Sequence, residues 1–405
     1  MAKKFTFSQT GDLIKSISQK VPMQIESENE QKQFISTGIY MLDAALSGSV
    51  INGGIQGNRI TAFAGDSGVG KSFIAYGVCR EAQKKGYGVI YIDTEYAIEY
   101  ADLKNYGINT SDEAFKLIRQ NKVEDISIFL SQLLDTLKEK KIKGEEVQPF
   151  VIVLDSVGML SSNKEKTDLI AGNIKQDMTR AKSIAALFRS VSSDMGYLKI
   201  PMIVTNHVYL SQDMFPQEIM KGGKGLVYSA SSIMMLSKAK LKTGEEDELD
   251  LQSGIIVTAK GAKNRLAKPK KIKFQIDFDK GSNPYSGLEF FCNERTFKDI
   301  GIAKGKMDVD KSTGEEVFKP GGIKWYIKHL NKSVFEKQLH RPEVFTQTVL
   351  EAIEPYAQAY FKYKSFEEAD QADQEFEDLA IQIEEENAAI NGMDPADIDS
   401  EALFA

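Results

Sequence analysis

Gly65-Asp66-Ser67-Gly68-Val69-Gly70-Lys71-Ser72 is a complete G-x-x-x-x-G-K-S loop. Before it runs an apolar, strand-like stretch, Arg59-Ile-Thr-Ala-Phe-Ala64, and after it a helical pattern over 73–83. Glycines let such a loop curl so that its backbone N–H groups point inward at phosphate oxygens, and the following helix adds its positive N-terminal end. The spacing predicts that all eight residues contact a nucleoside triphosphate. Lys71 reaches the β- and γ-phosphates, and the Ser72 hydroxyl holds Mg²⁺.

The rest of the composition narrows the class. The chain has 405 residues, 42% apolar and 27% charged, which is ordinary for a large globular core with appendages. Two cysteines, Cys79 and Cys292, make neither a disulfide framework nor a metal spacing, so a reduced, cytoplasmic compartment is expected. No apolar run is long enough for a membrane span, and the first residues carry no apolar signal core. The net charge of −7 hides an asymmetry: residues 365–405 hold 14 acidic side chains and no Lys or Arg. Residues 1–364 are therefore basic, with 51 cations against 44 acids. A basic body with an acidic tail points to a polyanionic partner and to a tail that competes with it for the basic body, although a solubilising disordered tail has the same composition.

Four parts are expected: an N-terminal segment, 1–34, with a short helix near 12–17 and a protomer-docking role; an α/β core, 35–294; a small α+β region, 295–364, turning at Lys319-Pro-Gly-Gly322; and the acidic tail, 365–405. Within the core, strand-like stretches at 59–64, 88–93, 150–155, 200–206, 232–237, 253–259 and 271–278 alternate with helical ones, as in a mostly parallel sheet covered by helices. The last two read as an antiparallel extension. Segments 161–174, 209–227 and 260–270 read as long connections after strands, where open α/β sheets bind ligands.

Three strands end in polar residues. Phe150-Val-Ile-Val-Leu-Asp155 carries a carboxylate to the phosphate-loop edge, suited to Mg²⁺. Gly88-Val-Ile-Tyr-Ile-Asp93-Thr-Glu95 offers two acids to orient an attacking water, Glu95 being the candidate and Asp93 its rival. Ile200-Pro-Met-Ile-Val-Thr-Asn206-His207 ends in a pair that can sense a γ-phosphate and pass the signal into the following loop. That loop contains Met220-Lys221-Gly222-Gly223-Lys224-Gly225, backbone donors and lysines suited to a nucleic-acid backbone. A basic stretch, Lys260, Lys263, Arg265, Lys268, Lys270, Lys271 and Lys273, has no interleaved aromatics, so base stacking is not expected; it reads either as a solvated turn or as a phosphate-binding edge.

Ile35-Ser-Thr-Gly-Ile-Tyr-Met-Leu-Asp43-Ala-Ala-Leu-Ser-Gly48, Ile92-Asp-Thr-Glu95, Leu154-Asp-Ser-Val157 and Gly222-Gly-Lys-Gly225 with Tyr228-Ser-Ala-Ser231 resemble RecA-type recombinases in order and approximate spacing. Asn206-His207, Gln176-Asp-Met-Thr-Arg-Ala-Lys182 and Asp279-Lys-Gly-Ser-Asn-Pro-Tyr-Ser-Gly287 resemble the UvsX branch, strand-exchange recombinases of tailed phages. The resemblance implies a RecA-like P-loop ATPase that uses ATP and Mg²⁺. Such a protein forms a head-to-tail helical filament on single-stranded DNA, pairs it with a homologous duplex, and works with single-strand-binding and mediator proteins. It also implies site roles: Glu95 as catalytic carboxylate, His207 linking the γ-phosphate to the second DNA loop, and Lys263 and Arg265 reaching the neighbouring protomer's ATP. Segments 161–174 and 209–227 become the two DNA loops, with Lys164, Lys166, Lys175, Arg180, Lys221, Gly222, Gly223, Lys224 and Gly225 as DNA contacts. Where the family often places an aromatic against the adenine, this chain has Asp102, so either Tyr100 or Tyr106 substitutes or base recognition is loose, and nucleotide preference stays open. The competing reading is a ring-shaped helicase of the same fold; only about 34 residues precede the core, too few for its usual collar domain.

Overall fold

A computed structural model describes residues 32–172, 179–211, 218–241, 253–278 and 280–364. The expected helix at 12–17, the acidic tail and Lys175 lie outside the described residues. The chain divides into two compact units: residues 1–35 with 55–234, and residues 36–54 with 235–405. The division falls within a single strand, Ser232–Lys240.

In the first unit, β1 (Ile60–Gly65), β2 (Gly88–Asp93), β3 (Phe115–Arg119), β4 (Phe150–Asp155) and β5 (Met202–Asn206) lie side by side in the order β1-β5-β4-β2-β3, all parallel. Every residue of β1 and β5 is buried, as expected of strands covered on both faces. β3 forms the edge; it is short, carries Lys116 and Arg119 and is only half buried, so it lacks the aliphatic run that marks the others. The register sets Asp93 beside Asp155 and Ala64 beside Asn206, so the polar strand ends gather along one edge.

The helices follow the expected pattern. α1 (Lys71–Lys84) begins directly at Gly70, whose φ of 91° is left-handed and favours glycine. Ile74, Val78 and Ala82, four residues apart, face inward. Cys79 is fully buried beside them, and burial pushes its thiol far above the ordinary range, leaving it a packing residue. α2 (Val123–Ile142) buries Val123, Ile126, Leu130, Leu134 and Leu137 at helical spacing, each contributing roughly 1.5–3 kcal/mol when fully buried.

Two expected connections are more ordered than they read. Segment 161–174 contains α3 (Asn163–Ile170), entered through a capping box: the Glu165 amide donates to Ser162 Oγ at 3.1 Å, and the Ser162 amide to Glu165 Oε2 at 3.4 Å. It is followed by α4 (Thr179–Leu198). In segment 209–227, β6 (Val208–Leu210) pairs with β7 (Glu218–Met220) as a hairpin, and α5 (Gly225–Ser229) follows. Residues 212–217 lie outside the described residues.

The second unit contains the rest of β8 (Ser232–Lys240), then β9 (Gly254–Asn264) and β10 (Lys271–Asp277), antiparallel as expected. Here the reading of 260–270 as a connection is corrected, because β9 runs on to Asn264. Outward-facing cations on a strand look like a loop in sequence, yet Lys260 pairs with Lys271 and the Gly261 amide donates to the Lys270 carbonyl at 3.0 Å. A three-stranded antiparallel sheet, β11 (Ile302–Val309), β12 (Glu316–Ile327) and β13 (Lys332–Val334), follows. The turn expected at 319–322 is a bulge inside β12: Gly305 pairs with Pro320 and Lys304 with Trp325, so residues 321–324 bow out, with φ of 110° at Gly321 and 84° at Gly322. The hairpin turns instead at 310–315, where Asp310 Oδ1 accepts the Ser312 amide at 2.8 Å and the Asp310 carbonyl accepts the Gly314 amide at 2.7 Å.

α6 (Gln347–Phe361) closes this unit, and its Glu354 carboxylate accepts the Val50 amide at 2.7 Å. His340, almost wholly buried, bonds Glu289 at 2.8 Å. Burial pushes its pKa down, but the bond to Glu289 and the charges of Glu289 and Glu336 outweigh this, so it lies above the ordinary 6.5. A raised histidine pKa gives a contribution that is complete below the unfolded value and is lost as pH rises through the folded one. The difference in thermal midpoint between wild type and His340→Gln is therefore expected to shrink as pH climbs above 6.5. Calorimetry across that range checks it; a constant or widening difference contradicts the assignment.

Candidate functional site

All of the site's central residues belong to the first unit. The phosphate loop leaves β1, exposes Asp66, Ser67 and Gly68, and is pinned by buried Val69. Gly68 and Gly70 have φ of 72° and 91°. Lys71 is only 7% exposed, and its Nζ donates to the Gly65 and Asp66 carbonyls at 2.9 and 2.7 Å. The ammonium is thus held in the mouth of the loop, where phosphate oxygens are stronger acceptors than neutral carbonyls.

Asp155, at the end of β4, sits behind this loop. Ser72 Oγ and the Tyr91 hydroxyl both donate to its Oδ2, at 2.8 and 2.7 Å, and Thr205 Oγ1 donates to Oδ1. Burial first, then the Asp155 charge, pushes the Tyr91 hydroxyl well above the ordinary range, keeping it a donor. Among the described residues no three His, Cys, Asp or Glu side chains gather into a metal cluster. The Ser72 hydroxyl and Asp155 carboxylate are the hard-oxygen pair that suits Mg²⁺ in company with phosphates.

Asp93 and Glu95 take different positions. Asp93 is buried, and its two carboxylate oxygens accept the Glu95 and Ile98 amides at 3.0 and 3.1 Å, holding the turn after β2. Glu95 turns outward with its side chain 35% exposed. Its Oε1 accepts Ser156 Oγ at 2.8 Å and lies 3.1 Å from His207 Nε2. Burial raises the Glu95 pKa, but the bonds to His207 and Ser156 and the nearby Lys71 charge outweigh it, so the carboxyl lies below its ordinary value. Thr94 ties the two acidic strand ends together: its amide donates to the Asp155 carbonyl and its hydroxyl to the Ser156 carbonyl, both at 2.8 Å.

From His207 the contacts continue toward the glycine loop. Asn206 Nδ2 donates to the Lys221 carbonyl at 2.8 Å, and the Lys221 amide donates to the His207 carbonyl at 2.9 Å. Gly222 and Gly223, with φ of 88° and 78°, follow at once; a side chain at Gly222 would strike Val157 and Ile184. Gly225 lies so close to Ala185 of α4 that a Cβ would come within 2.5 Å of its Cα. Lys221 and Lys224 are exposed on this loop, and Lys164 and Lys166 on α3. Arg180 is half buried and turned inward, its Nη2 donating to the Gly158 carbonyl at 2.6 Å. Lys263 lies on β9 and Arg265 just beyond it, in the second unit. Burial, then the Arg265 charge, lowers the Lys263 pKa.

Reading the residues alone missed Tyr91, Thr205, Thr94 and Ser156. The signal for the first two was a lone hydroxyl in an otherwise aliphatic buried strand. Of the two aromatic candidates near Asp102, Tyr106 packs at 5.0 Å against Phe73, directly after Ser72, and at 5.0 Å against Tyr76. Tyr100 packs against Phe115 on β3 instead.

The RecA N-terminal domain family matches this chain over residues 10–283. A protein of Enterobacteria phage T4 named Recombination and repair protein is 30% identical over 352 residues, 84% of each chain. DNA repair protein recA homolog 3, mitochondrial, of Arabidopsis thaliana is 30% identical over 253 residues, 61% of this chain and 54% of that one. Protein RecA of Fusobacterium nucleatum is 28% identical over 274 residues, 66% and 64% of the two chains. With a phosphate loop and polar strand ends arranged on one parallel sheet, and with the match covering most of the chain, the protein belongs to the RecA family.

Proposed function

We propose that this protein is a DNA-dependent ATPase that polymerises on single-stranded DNA, pairs it with a homologous duplex and exchanges strands in recombination and repair. The observation that carries this reading is the hydrogen-bonded path from Glu95 through His207 to Lys221. It connects the carboxylate suited to orient a water with a lysine-bearing glycine loop suited to a nucleic-acid backbone. The relatives' names, Recombination and repair protein and Protein RecA, support the same reading.

In this reading the phosphate-loop amides and Lys71 hold the triphosphate, and Tyr106 faces the base. Ser72 and Asp155 hold Mg²⁺, which when bound neutralises charge developing on the phosphates. Glu95, kept ionised by its partners, orients the attacking water, and His207 carries the change at the γ-phosphate into the loop. Lys263 and Arg265 complete the site of a neighbouring protomer; such a head-to-tail interface builds an open filament rather than a closed dimer. Residues 35–294 act as the nucleotide and DNA core, with 295–364 as an appendage.

The testing experiment is ATP hydrolysis with and without oligo(dT) at low and high salt. Turnover is expected to rise on the order of tenfold or more with DNA and to lose that gain as salt displaces the phosphate contacts. Hydrolysis indifferent to DNA at both salts would remove the recombinase reading. Stimulated rings rather than filaments under the electron microscope would favour a helicase.

A further inference from the structure

Arg180 sits in the first turn of α4, and its guanidinium does not face outward. Nη2 donates to the Gly158 carbonyl at 2.6 Å, and Nε is buried with no hydrogen-bond partner among the described residues. Gly158 belongs to the turn Val157–Met159, which follows Asp155 and Ser156. This turn lies directly on His207: a Cβ at Gly158 would come within 2.8 Å of the imidazole Cδ2. His207 in turn holds the same Glu95 oxygen that Ser156 holds. Guanidinium, turn, imidazole and carboxylate therefore form one unbroken line of contacts. At its end, Glu95 Oε1 already serves two donors.

Building on the recombinase reading, we propose that Arg180 is a positioning residue that restrains the Glu95–His207 pair through Gly158, and that a DNA phosphate competing for its guanidinium releases the restraint. A guanidinium has five N–H donors in a rigid fork. One is spent on a neutral carbonyl and another is unsatisfied. The present bond joins a cationic donor to a neutral carbonyl; a phosphate adds the opposite charge and can take two parallel N–H bonds from the fork, so it is the stronger partner for this guanidinium. Freed of Arg180, the 157–159 turn can draw back from the imidazole, and Glu95 Oε1 can exchange a protein donor for water. The loop carrying Lys221 is fastened to the same histidine by the Lys221 amide, so two DNA-facing segments converge on one side chain. Glycine at 158 is required by this close approach, since its φ is not among the positive ones.

The test uses the full-length chain and three variants: Arg180→Ala, Arg180→Lys and Gly158→Ala, each first checked for a wild-type melting profile. ATP turnover is measured without DNA and across an oligo(dT) titration, and oligo(dT) binding is followed separately by anisotropy. Arg180→Ala is expected to raise DNA-free turnover several-fold and to cut the ratio of DNA-saturated to DNA-free rates by roughly tenfold, within the roughly hundredfold that a misplacement of about 1 Å can cost. Gly158→Ala removes no cation, so it should bind oligo(dT) like wild type yet show the same loss of ratio. Arg180→Lys should recover DNA affinity without recovering the ratio, because an ammonium cannot reproduce the fork. The proposal is overturned if Arg180→Ala shifts only the half-saturating DNA concentration while Gly158→Ala keeps the wild-type ratio. If wild type itself is not stimulated by DNA, the recombinase reading fails, and the DNA-free rates still decide the restraint: raised turnover in Arg180→Ala supports it, and unchanged turnover in both alanine variants ends it.

Discussion

Glu95→Gln is expected to slow ATP hydrolysis by about a hundredfold to ten-thousandfold, the span that a positioned base supplies, while ATP affinity stays within about threefold of wild type. The geometry makes the substitution conservative. A glutamine carbonyl still accepts the Ser156 hydroxyl now bonded at 2.8 Å and can keep the His207 contact now at 3.1 Å. What disappears is the negative charge that, in the proposed function, orients the attacking water. Single-turnover hydrolysis, with a fluorescent ATP titration beside it, separates the chemical step from binding. A variant that hydrolyses within about threefold of wild type would mean that no general base is lost and would send the search elsewhere. It would not point to Asp93, whose two oxygens are committed to the Glu95 and Ile98 amides.

Lys71→Ala should bring turnover to background and weaken ATP binding by on the order of a hundredfold, the scale of truncating one partner of a buried, hydrogen-bonded charge pair. Two effects add. The ammonium that would meet the phosphates is gone, and the loop loses the bonds from Nζ to the Gly65 and Asp66 carbonyls, at 2.9 and 2.7 Å, that brace its curl. Lys71→Arg keeps the charge but must fit a planar fork where only 7% of the lysine is exposed, so little recovery is expected. Calorimetric ATP titration against both variants, with melting curves to confirm folding, checks the pair. Near-normal ATP binding in Lys71→Ala would deny Lys71 a phosphate role.

Much of this site was legible along the chain because its pieces are local. The phosphate loop announces itself by glycine spacing, and the buried strands β1, β2, β4 and β5 announce themselves as aliphatic runs that end in Asp, Asn or Gly. The preference for Glu95 over Asp93 came from family resemblance, and its physical ground is visible only in the hydrogen bonds: Asp93 caps the turn and Glu95 does not. Less was legible where charge masks order. β3 is half exposed, β9 carries the cations that read as a loop, and the Gly-Gly pair at 321–322 bows out of a strand instead of ending one. Arg180 illustrates the limit most sharply. The family resemblance implied a DNA contact there, and only the structure shows its side chain turned onto the Gly158 carbonyl.

The amino-acid sequence by itself determined that there is a phosphate loop between a buried strand and a helix, that three further strands end in polar groups, and that basic and glycine-rich segments follow them. Those features depend on neighbours within one strand or one turn. Tertiary structure alone decided which polar ends meet. Placing β5 between β1 and β4 puts Thr205 on Asp155 and His207 on Glu95, residues 50 and 112 positions apart. A strand's side chains reveal which face they need, but the order of strands in a sheet is set by packing and chain crossover, and no local pattern records it.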